Sequence, residues 1–186
     1  ETQVGVTGHS WGNNGSAAVI NAINLGTENP RINAFLCAQG SMAVYDLQPG
    51  AMDGVTFGFS AGKYDEMDVT YFGSYTLPSS EFAISWIQEV YPEFNEDSVP
   101  LGVWFDENGA HELQEGTKFD GVGGRVMYNP NNTHPAALFS TTGVGTNINF
   151  FYGAFGTPEG AEYISSDNQI WWVYIAFLVV GLIGWF

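Results

Sequence analysis

Cysteine and positive charge are the scarce components of this 186-residue chain. Four lysines and arginines stand against 20 acidic residues, so the formal net charge is -16. This balance argues against binding of nucleic acid, or of an anionic membrane surface, through a basic patch. The single cysteine, Cys37, excludes an internal disulfide and a cysteine zinc cluster. Its apolar neighbours predict a small buried side chain in a strand.

What the chain does contain predicts one domain with a tail. With 45% hydrophobic residues it can bury a core. It opens on Glu1 and enters a strand-like run at Val4, with no room for the strands that should precede it. We therefore expect a truncated chain, in which residues 1–160 form a partial α/β domain and residues 161–186 form a linker and a membrane helix.

A GxSxG motif near the start is the most informative feature. Gly8-His9-Ser10-Trp11-Gly12 follows a short β-type run and precedes apolar residues at helical spacing that close on Gly26. A strand that turns sharply into a helix is a nucleophile elbow, which exposes its serine on a strained corner. The flanking glycines are expected because a side chain there would collide with the neighbouring strand or helix.

The same motif occurs a second time, around Ser60. Residues 58–62 follow a strand-like run but lead into a polar loop rather than a helix. Context therefore favours Ser10 as the nucleophile. The alternative for Ser10 is an incidental serine in a glycine-rich turn.

The rest of the pattern alternates strands and helices. We predict strands within 31–40, 55–60 and 125–128, and helices within 16–26, 78–96 and 146–156. The apolar strand centres predict a mostly parallel sheet flanked by helices, with ligands bound beyond the strand ends. Residues 97–123 lack a clear period and are interpreted as an inserted hairpin or lid, within an insertion at about 71–123.

Chain order identifies partners for the serine. A serine hydroxyl needs a base within reach and an acid that orients the base. In hydrolases the acid follows a later strand and the histidine follows the last strand. Ser10, Asp65 and His134 satisfy that order. No metal is required, and the acidic cluster around Asp65 lacks the spacing of a calcium loop.

Alternatives remain for both partners. His111, in the interval interpreted as an insertion, is a second candidate base. His9 is excluded as the base because it neighbours the nucleophile on the turn and should point away. Glu66 and Asp68 stand close to Asp65 and remain alternative acids.

The C-terminal segment differs from the rest in composition. Residues 170–186 carry no charged or strongly polar side chain, which predicts a transmembrane helix over 169–186, with Trp171 and Trp172 at the interface. The acidic flank before it, without lysine or arginine, favours a cell-membrane protein whose soluble domain faces outward. The alternative is a buried C-terminal helix of a soluble domain.

Three segments together carry a family resemblance. Gly5–Gly12, Gly62–Glu66 and Thr133–Pro135 resemble the elbow, the acid loop and the histidine loop of α/β-hydrolases. The chain is similar over nearly its whole length to the C-terminal half of that fold, and more narrowly to bacterial α/β-hydrolases with a membrane-spanning C-terminal region. Two departures stand out: Asn13 replaces a glycine that many members have, and the long interval between Asp65 and His134 implies an insertion.

The resemblance implies a membrane-anchored serine hydrolase that cleaves an ester or related acyl bond of a small-molecule or lipid-like substrate. Ser10 attacks the carbonyl, His134 transfers the proton, Asp65 holds the imidazole, and the Trp11 backbone N–H is one oxyanion donor, with no cofactor. The second donor belongs to an earlier loop that the chain does not contain, so residues 1–186 alone are expected to be inactive. The competing hypotheses are a non-catalytic binding protein with the hydrolase fold and a membrane assembly protein.

Overall fold

The computed structural model describes residues 3–40, 46–74, 76–114, 116–161, 175 and 177–182. Within them the chain has a mixed α/β fold, as predicted, in which helices flank a six-stranded sheet. The strands are β1 (Gly5–His9), β2 (Ala34–Ala38), β3 (Thr56–Ser60), β4 (Trp104–Asp106), β5 (Gly109–His111) and β6 (Arg125–Tyr128). The α-helices are α1 (Gly12–Asn24), α2 (Asp68–Phe72), α3 (Glu81–Gln88) and α4 (Thr141–Phe155), and short 3-10 helices occupy Leu77–Ser79 and Pro135–Leu138.

The sheet has the strand order β1-β2-β3-β6-β4-β5, and its first four strands are parallel. Their register aligns the last residues of these strands: His9 lies beside Ala38, Ala38 beside Ser60, and Ser60 beside Tyr128. The segments that follow β1, β2, β3 and β6 therefore emerge at one edge of the sheet, where ligands bind in open α/β folds.

Two hydrophobic clusters cover the two faces of the sheet. Every residue of β2 and β3 is buried, as expected for central parallel strands. Phe35 and Cys37 of β2 pack in a cluster with α1 and α3, so Cys37 is the buried strand residue that its neighbours predict. Leu36, between them, packs on the other face with Trp104 of β4 and Phe150 of α4.

The helix boundaries differ from those expected, for local reasons. The first helix begins at Gly12, directly behind the Ser10 turn, rather than near Ser16. The third is much shorter than 78–96: Ser80 caps it by accepting a hydrogen bond from Ala83 N at 3.1 Å, and it ends at Gln88, shortly before Pro92. The last begins at Thr141, earlier than predicted, because the Ser140 hydroxyl caps it.

The aperiodic interval 97–123 contributes the hairpin β4–β5 to the sheet. Strand β4 pairs with β6 in antiparallel fashion, with Trp104 beside Val126, and β5 pairs with β4. The hairpin thus extends the parallel sheet on the side away from β1.

The predicted membrane helix over 169–186 falls largely outside the described residues. Residues 177–182 are helical and expose apolar side chains, among them Phe177 and Leu178. In the described part of the chain, no helix has both the length and the hydropathy that a membrane span requires.

Candidate active site

Ser10 lies on the turn between β1 and α1 in a backbone conformation that is costly for serine. Its φ is 54°, in the left-handed region that residues with a Cβ rarely occupy. The turn is fixed from both sides: Ser10 N donates to the Ala38 carbonyl at 3.0 Å, and Asn13 N donates to the Ser10 carbonyl at 3.0 Å. The strain is therefore held in place by β2 and by the first turn of α1.

The two glycines of the motif have different reasons to be there. A Cβ on Gly8 would stand 2.5 Å from the carbonyl carbon of Gly12, so only glycine allows the helix to pack against the strand end. A Cβ on Gly12 would meet nothing within 4 Å. The expectation that both glycines avoid a collision is therefore correct at Gly8 and wrong at Gly12.

Asp65 and His134 meet at the carboxyl edge of the sheet, from loops that follow β3 and β6. The His134 Nδ1 and the Asp65 Oδ2 are 2.7 Å apart. The other carboxylate oxygen of Asp65 accepts a hydrogen bond from Met67 N at 2.9 Å. Because the Asp65 side chain is only 2% exposed, water does not compete for these bonds. The pair orients the imidazole through Nδ1 and leaves Nε2 without a hydrogen-bond partner among the described residues.

Main-chain hydrogen bonds join the two loops that carry this pair. Beyond the last residues of β3 and β6, Lys63 N donates to Pro130 O at 2.8 Å and Tyr64 N donates to Asn132 O at 3.1 Å. The Asn129 side chain adds a bond from Nδ2 to Ala61 O at 2.8 Å. The pairing of the two strands thus continues into the loops, which fixes the carboxylate against the imidazole.

A buried amide network supports the same junction. Gln39, which follows β2 with a φ of 52°, accepts a hydrogen bond from Gly62 N at 2.9 Å and donates to Asn132 Oδ1 at 3.4 Å. Asn132 in turn donates to Ser140 Oγ at 3.2 Å, at the start of α4. Sequence reasoning missed Gln39 and Asn132, although a polar residue directly after a fully apolar strand is a signal that could have pointed to Gln39.

The alternative acids do not contact the histidine. Glu66 is exposed, and neither Glu66 nor Asp68 bonds to His134 among the described contacts. Asp68 is buried, and that burial, with the nearby charges of Asp65 and Glu66, raises the pKa of its carboxyl to about 7. A carboxyl with such a pKa is partly protonated at neutral pH and is poorly suited to stabilise an imidazolium.

His9 does not point away from the site, contrary to expectation. Its ring centroid is 5.0 Å from that of His134, and its Nε2 is 3.0 Å from the His134 carbonyl oxygen. Burial lowers the pKa of His9, against the opposing effect of that hydrogen bond. The residue is therefore neutral at physiological pH and belongs to the surroundings of His134.

His111, the alternative base, pairs with a different carboxylate. Its Nε2 is 2.9 Å from Asp106 Oδ1, within the hairpin β4–β5. The ring also contacts Phe119 edge to face. No serine hydroxyl bonds to His111 in the described residues, so the structure gives it no nucleophile to activate.

Three further residues in or next to the two GxSxG motifs are Asn13, Trp11 and Ser60. Asn13 is buried and donates from Nδ2 to Ala38 O at 2.8 Å, so this side chain ties α1 to the end of β2. The Trp11 side chain is 71% exposed beside Ser10. Ser60, the second GxSxG serine, is 3% exposed at the end of β3 and lines a cavity of about 210 Å³ with His9 and Asn147.

The structure brings Asp65 and His134 together and places the Ser10 turn beside them. Within the described part of the chain, no hydrogen bond joins the Ser10 hydroxyl to His134. The same residues contain no group of three histidine, cysteine or carboxylate side chains that could hold a metal ion. Comparison of the chain with protein-family models, with curated proteins and with solved structures returns no match.

Proposed function

We propose that the chain carries the nucleophile, base and acid of a serine hydrolase of the α/β-hydrolase type, with Ser10, His134 and Asp65 in those roles. One observation carries the proposal: the 2.7 Å hydrogen bond from His134 Nδ1 to a buried carboxylate, at the sheet edge where Ser10 lies on a strained turn. A hydrogen bond at Nδ1 directs Nε2 toward the proton of a nucleophile. The chain order of the three residues supports the same assignment.

The chemistry follows from these positions. Ser10 Oγ attacks an acyl carbonyl while His134 Nε2 takes the hydroxyl proton, and the negative charge of the Asp65 carboxylate stabilises the imidazolium that forms. The Trp11 backbone N–H donates to the oxyanion of the tetrahedral intermediate. His134 then returns the proton to the leaving alcohol, and a water molecule, deprotonated by the same imidazole, releases the acyl group from Ser10.

Esters with an apolar acyl group are the substrates that we favour. The Trp11 side chain is 71% exposed next to Ser10, and the Tyr64 side chain is 62% exposed next to Asp65. Two exposed aromatic rings, each adjacent in sequence to a proposed catalytic residue, offer contact area to an apolar chain. The net charge of -16 disfavours an anionic substrate.

A fluorophosphonate probe tests the nucleophile directly. The expected inactivity of residues 1–186 concerns turnover of an ester, whereas phosphonylation is a single step that requires only the activated serine. We expect the chain to be labelled on the peptide that contains Ser10, as read by mass spectrometry. Ser10→Ala should abolish labelling, whereas Ser60→Ala, the matched change in the second motif, should leave it intact. An unlabelled chain, or labelling that survives Ser10→Ala, would sink the proposal and favour a non-catalytic protein with the same fold.

We further propose that the C-terminal segment anchors the domain to a membrane. The apolar run from Ile170 to the end of the sequence supports this, together with the exposed apolar side chains at 177–182. The paired changes Phe177→Arg and Leu178→Arg, in the middle of the predicted span 169–186, should release the protein from lipid vesicles, since each arginine costs about 3 kcal/mol at the centre of a membrane helix. Val122→Arg, at a residue of the folded domain that is 77% exposed, is the control and should not change vesicle binding. Equal binding of all variants would contradict an anchor in this segment.

A further inference from the structure

We propose that His9 is a positioning residue that holds the main chain of His134 through a hydrogen bond from its imidazole. Its importance for catalysis rests on the proposed function, but the contact itself stands on geometry. Nε2 of His9 and the carbonyl oxygen of His134 are 3.0 Å apart, although the residues are 125 positions apart in the chain. The bond therefore connects the strand end before the nucleophile directly to the residue proposed as the base.

This bond acts at a point that the other loop contacts do not reach. The main-chain bonds between the acid loop and the histidine loop end at Asn132, where Tyr64 N donates. Beyond His134 the chain turns into the short 3-10 helix Pro135–Leu138. Between these two anchors, His134 is held by Asp65 at its side chain and by His9 at its backbone. Both bonds together define where the imidazole lies relative to the Ser10 turn.

The contact with a carbonyl oxygen determines the tautomer of the His9 ring, and burial determines its charge. A carbonyl oxygen only accepts hydrogen bonds, so Nε2 of His9 must carry the hydrogen. Burial lowers the pKa of His9 and thereby keeps the ring neutral. Neutrality matters because the two ring centroids are 5.0 Å apart, and a positive charge on His9 would oppose the imidazolium that forms on His134 during catalysis. The groups facing His9 that influence its charge are His134 and Asp65.

The state of His9 can be measured in the unmodified chain. Nitrogen-15 NMR of labelled histidine distinguishes the two neutral tautomers and the charged ring. We expect His9 at pH 7 to be neutral with its hydrogen on Nε2. A charged ring, or a hydrogen on Nδ1, would overturn the proposal without any mutation.

Two substitutions test what the bond does. His9→Gln keeps a nitrogen donor at a similar reach, whereas His9→Phe keeps a ring and removes the donor. The first readout is the downfield proton resonance of the His134 to Asp65 hydrogen bond, and the second is the rate of fluorophosphonate labelling at Ser10. With His9→Phe we expect the resonance to broaden or vanish and the labelling to slow by about tenfold, the upper range for one neutral hydrogen bond. With His9→Gln the resonance should remain visible, and the labelling rate should stay within about twofold of that of the unmodified chain.

Two results would contradict the positioning role: a His9→Phe variant that matches the unmodified chain in both readouts, or a His9→Gln variant as impaired as His9→Phe. If His9→Phe does not fold, the tautomer measurement and the His9→Gln variant still decide.

The resonance can also be followed in a Ser10→Ala background, which has no nucleophile. A loss of the resonance on His9→Phe there, with no labelling of the unmodified chain, would retain the positioning role and reject the hydrolase. Normal labelling of the unmodified chain, together with a resonance that does not change on His9→Phe, would retain the hydrolase and reject the positioning role.

Discussion

The described part of the chain contains two buried aspartates that each bond to a histidine, and the surroundings of the two pairs differ. Asp65 and His134 are 69 positions apart and come from loops after two different strands. Asp106 and His111 are five positions apart and belong to one hairpin. The bond lengths, 2.7 Å and 2.9 Å, are nearly the same. The distance between a carboxylate and an imidazole therefore does not distinguish a candidate active site from a local structural contact.

The other contacts of each aspartate, and its place in the fold, distinguish the two pairs. Asp106 Oδ1 accepts from His111 and also from Asn108 N at 2.8 Å, so this carboxylate closes the turn between β4 and β5. Asp65 instead bridges two loops at the sheet edge that also carries the Ser10 turn. A pair made by long-range contacts can position chemistry between elements, whereas a pair made by local contacts stabilises the turn that it closes.

Removal of one carboxylate at a time tests this difference between the two pairs most directly. Asp65→Asn should slow fluorophosphonate labelling of Ser10 by at least about a hundredfold, because the amide favours the wrong tautomer of His134 and cannot stabilise an imidazolium. Asp106→Asn should change the rate by less than about twofold. The measurement is the labelling rate by mass spectrometry, with circular dichroism to show that both variants fold. Similar losses in the two variants would erase the distinction drawn between the pairs.

The junction under the first pair has a steric requirement that can be tested by stability. A Cβ on Gly62 would lie 2.3 Å from Asn132 Oδ1 and 2.5 Å from the Asn132 carbonyl oxygen, so Gly62→Ala must push the acid loop away from the histidine loop. We expect a loss of about 2 kcal/mol in the free energy of unfolding by urea. Gly12→Ala, at a position with open space, is the control and should stay within about 0.5 kcal/mol. A harmless Gly62→Ala would show that the two loops are not tightly joined.

Among the described residues, only the first pair has a second buried carboxyl beside it, and this predicts a pH dependence. The pKa of Asp68 is about 7 in the folded chain, above the value of about 4 in an unfolded chain. The folded state therefore holds a proton that the unfolded state has lost, so ionisation of Asp68 costs stability progressively from pH 4 to pH 7. Asp68→Asn should stabilise the chain by about 2 kcal/mol at pH 8 and by much less at pH 4.5, as measured by urea unfolding. An equal effect at both pH values would assign the change to packing rather than to charge.

The second pair predicts the opposite and smaller dependence. Burial favours a higher pKa for Asp106, but the hydrogen bonds from His111 and Asn108 outweigh it and lower the pKa. Its contribution is therefore present above pH 4 and is lost as the pH falls through the lowered value. We expect Asp106→Asn to reduce the free energy of unfolding by about 1 kcal/mol at pH 7 and by less near pH 3. A loss that grows toward acid pH would contradict a stabilising role for the ionised carboxylate.

The sequence predicts best what depends on local pattern. The predicted strand 125–128 has the same bounds as β6, and the alternation of strands and helices predicts the mixed α/β fold. Strands β4 and β5 have three residues each, which is too short to show an alternating pattern. The sequence therefore does not predict that they belong to the sheet. The end of α3 could have been predicted from Pro92, whereas its start depends on whether Ser79 or its neighbour Ser80 acts as the cap.

The candidate site is predictable in its chain order but not in its contacts. The order of Ser10, Asp65 and His134 follows from residue type and position relative to strands. The direction of the His9 ring and the bond from Gln39 to Asn132 depend on the register of four parallel strands, which brings together residues far apart in the chain. Long-range geometry of this kind leaves no periodic signal in the sequence.

The side chains of Lys63 and Tyr64 are less constrained than the main chain that joins the two loops. Because Lys63 and Tyr64 hold the histidine loop through their backbone N–H groups, their side chains carry no part of that connection. Both side chains are exposed at the sheet edge. Mutation can therefore exchange them for other shapes and charges while Asp65 and His134 keep their places.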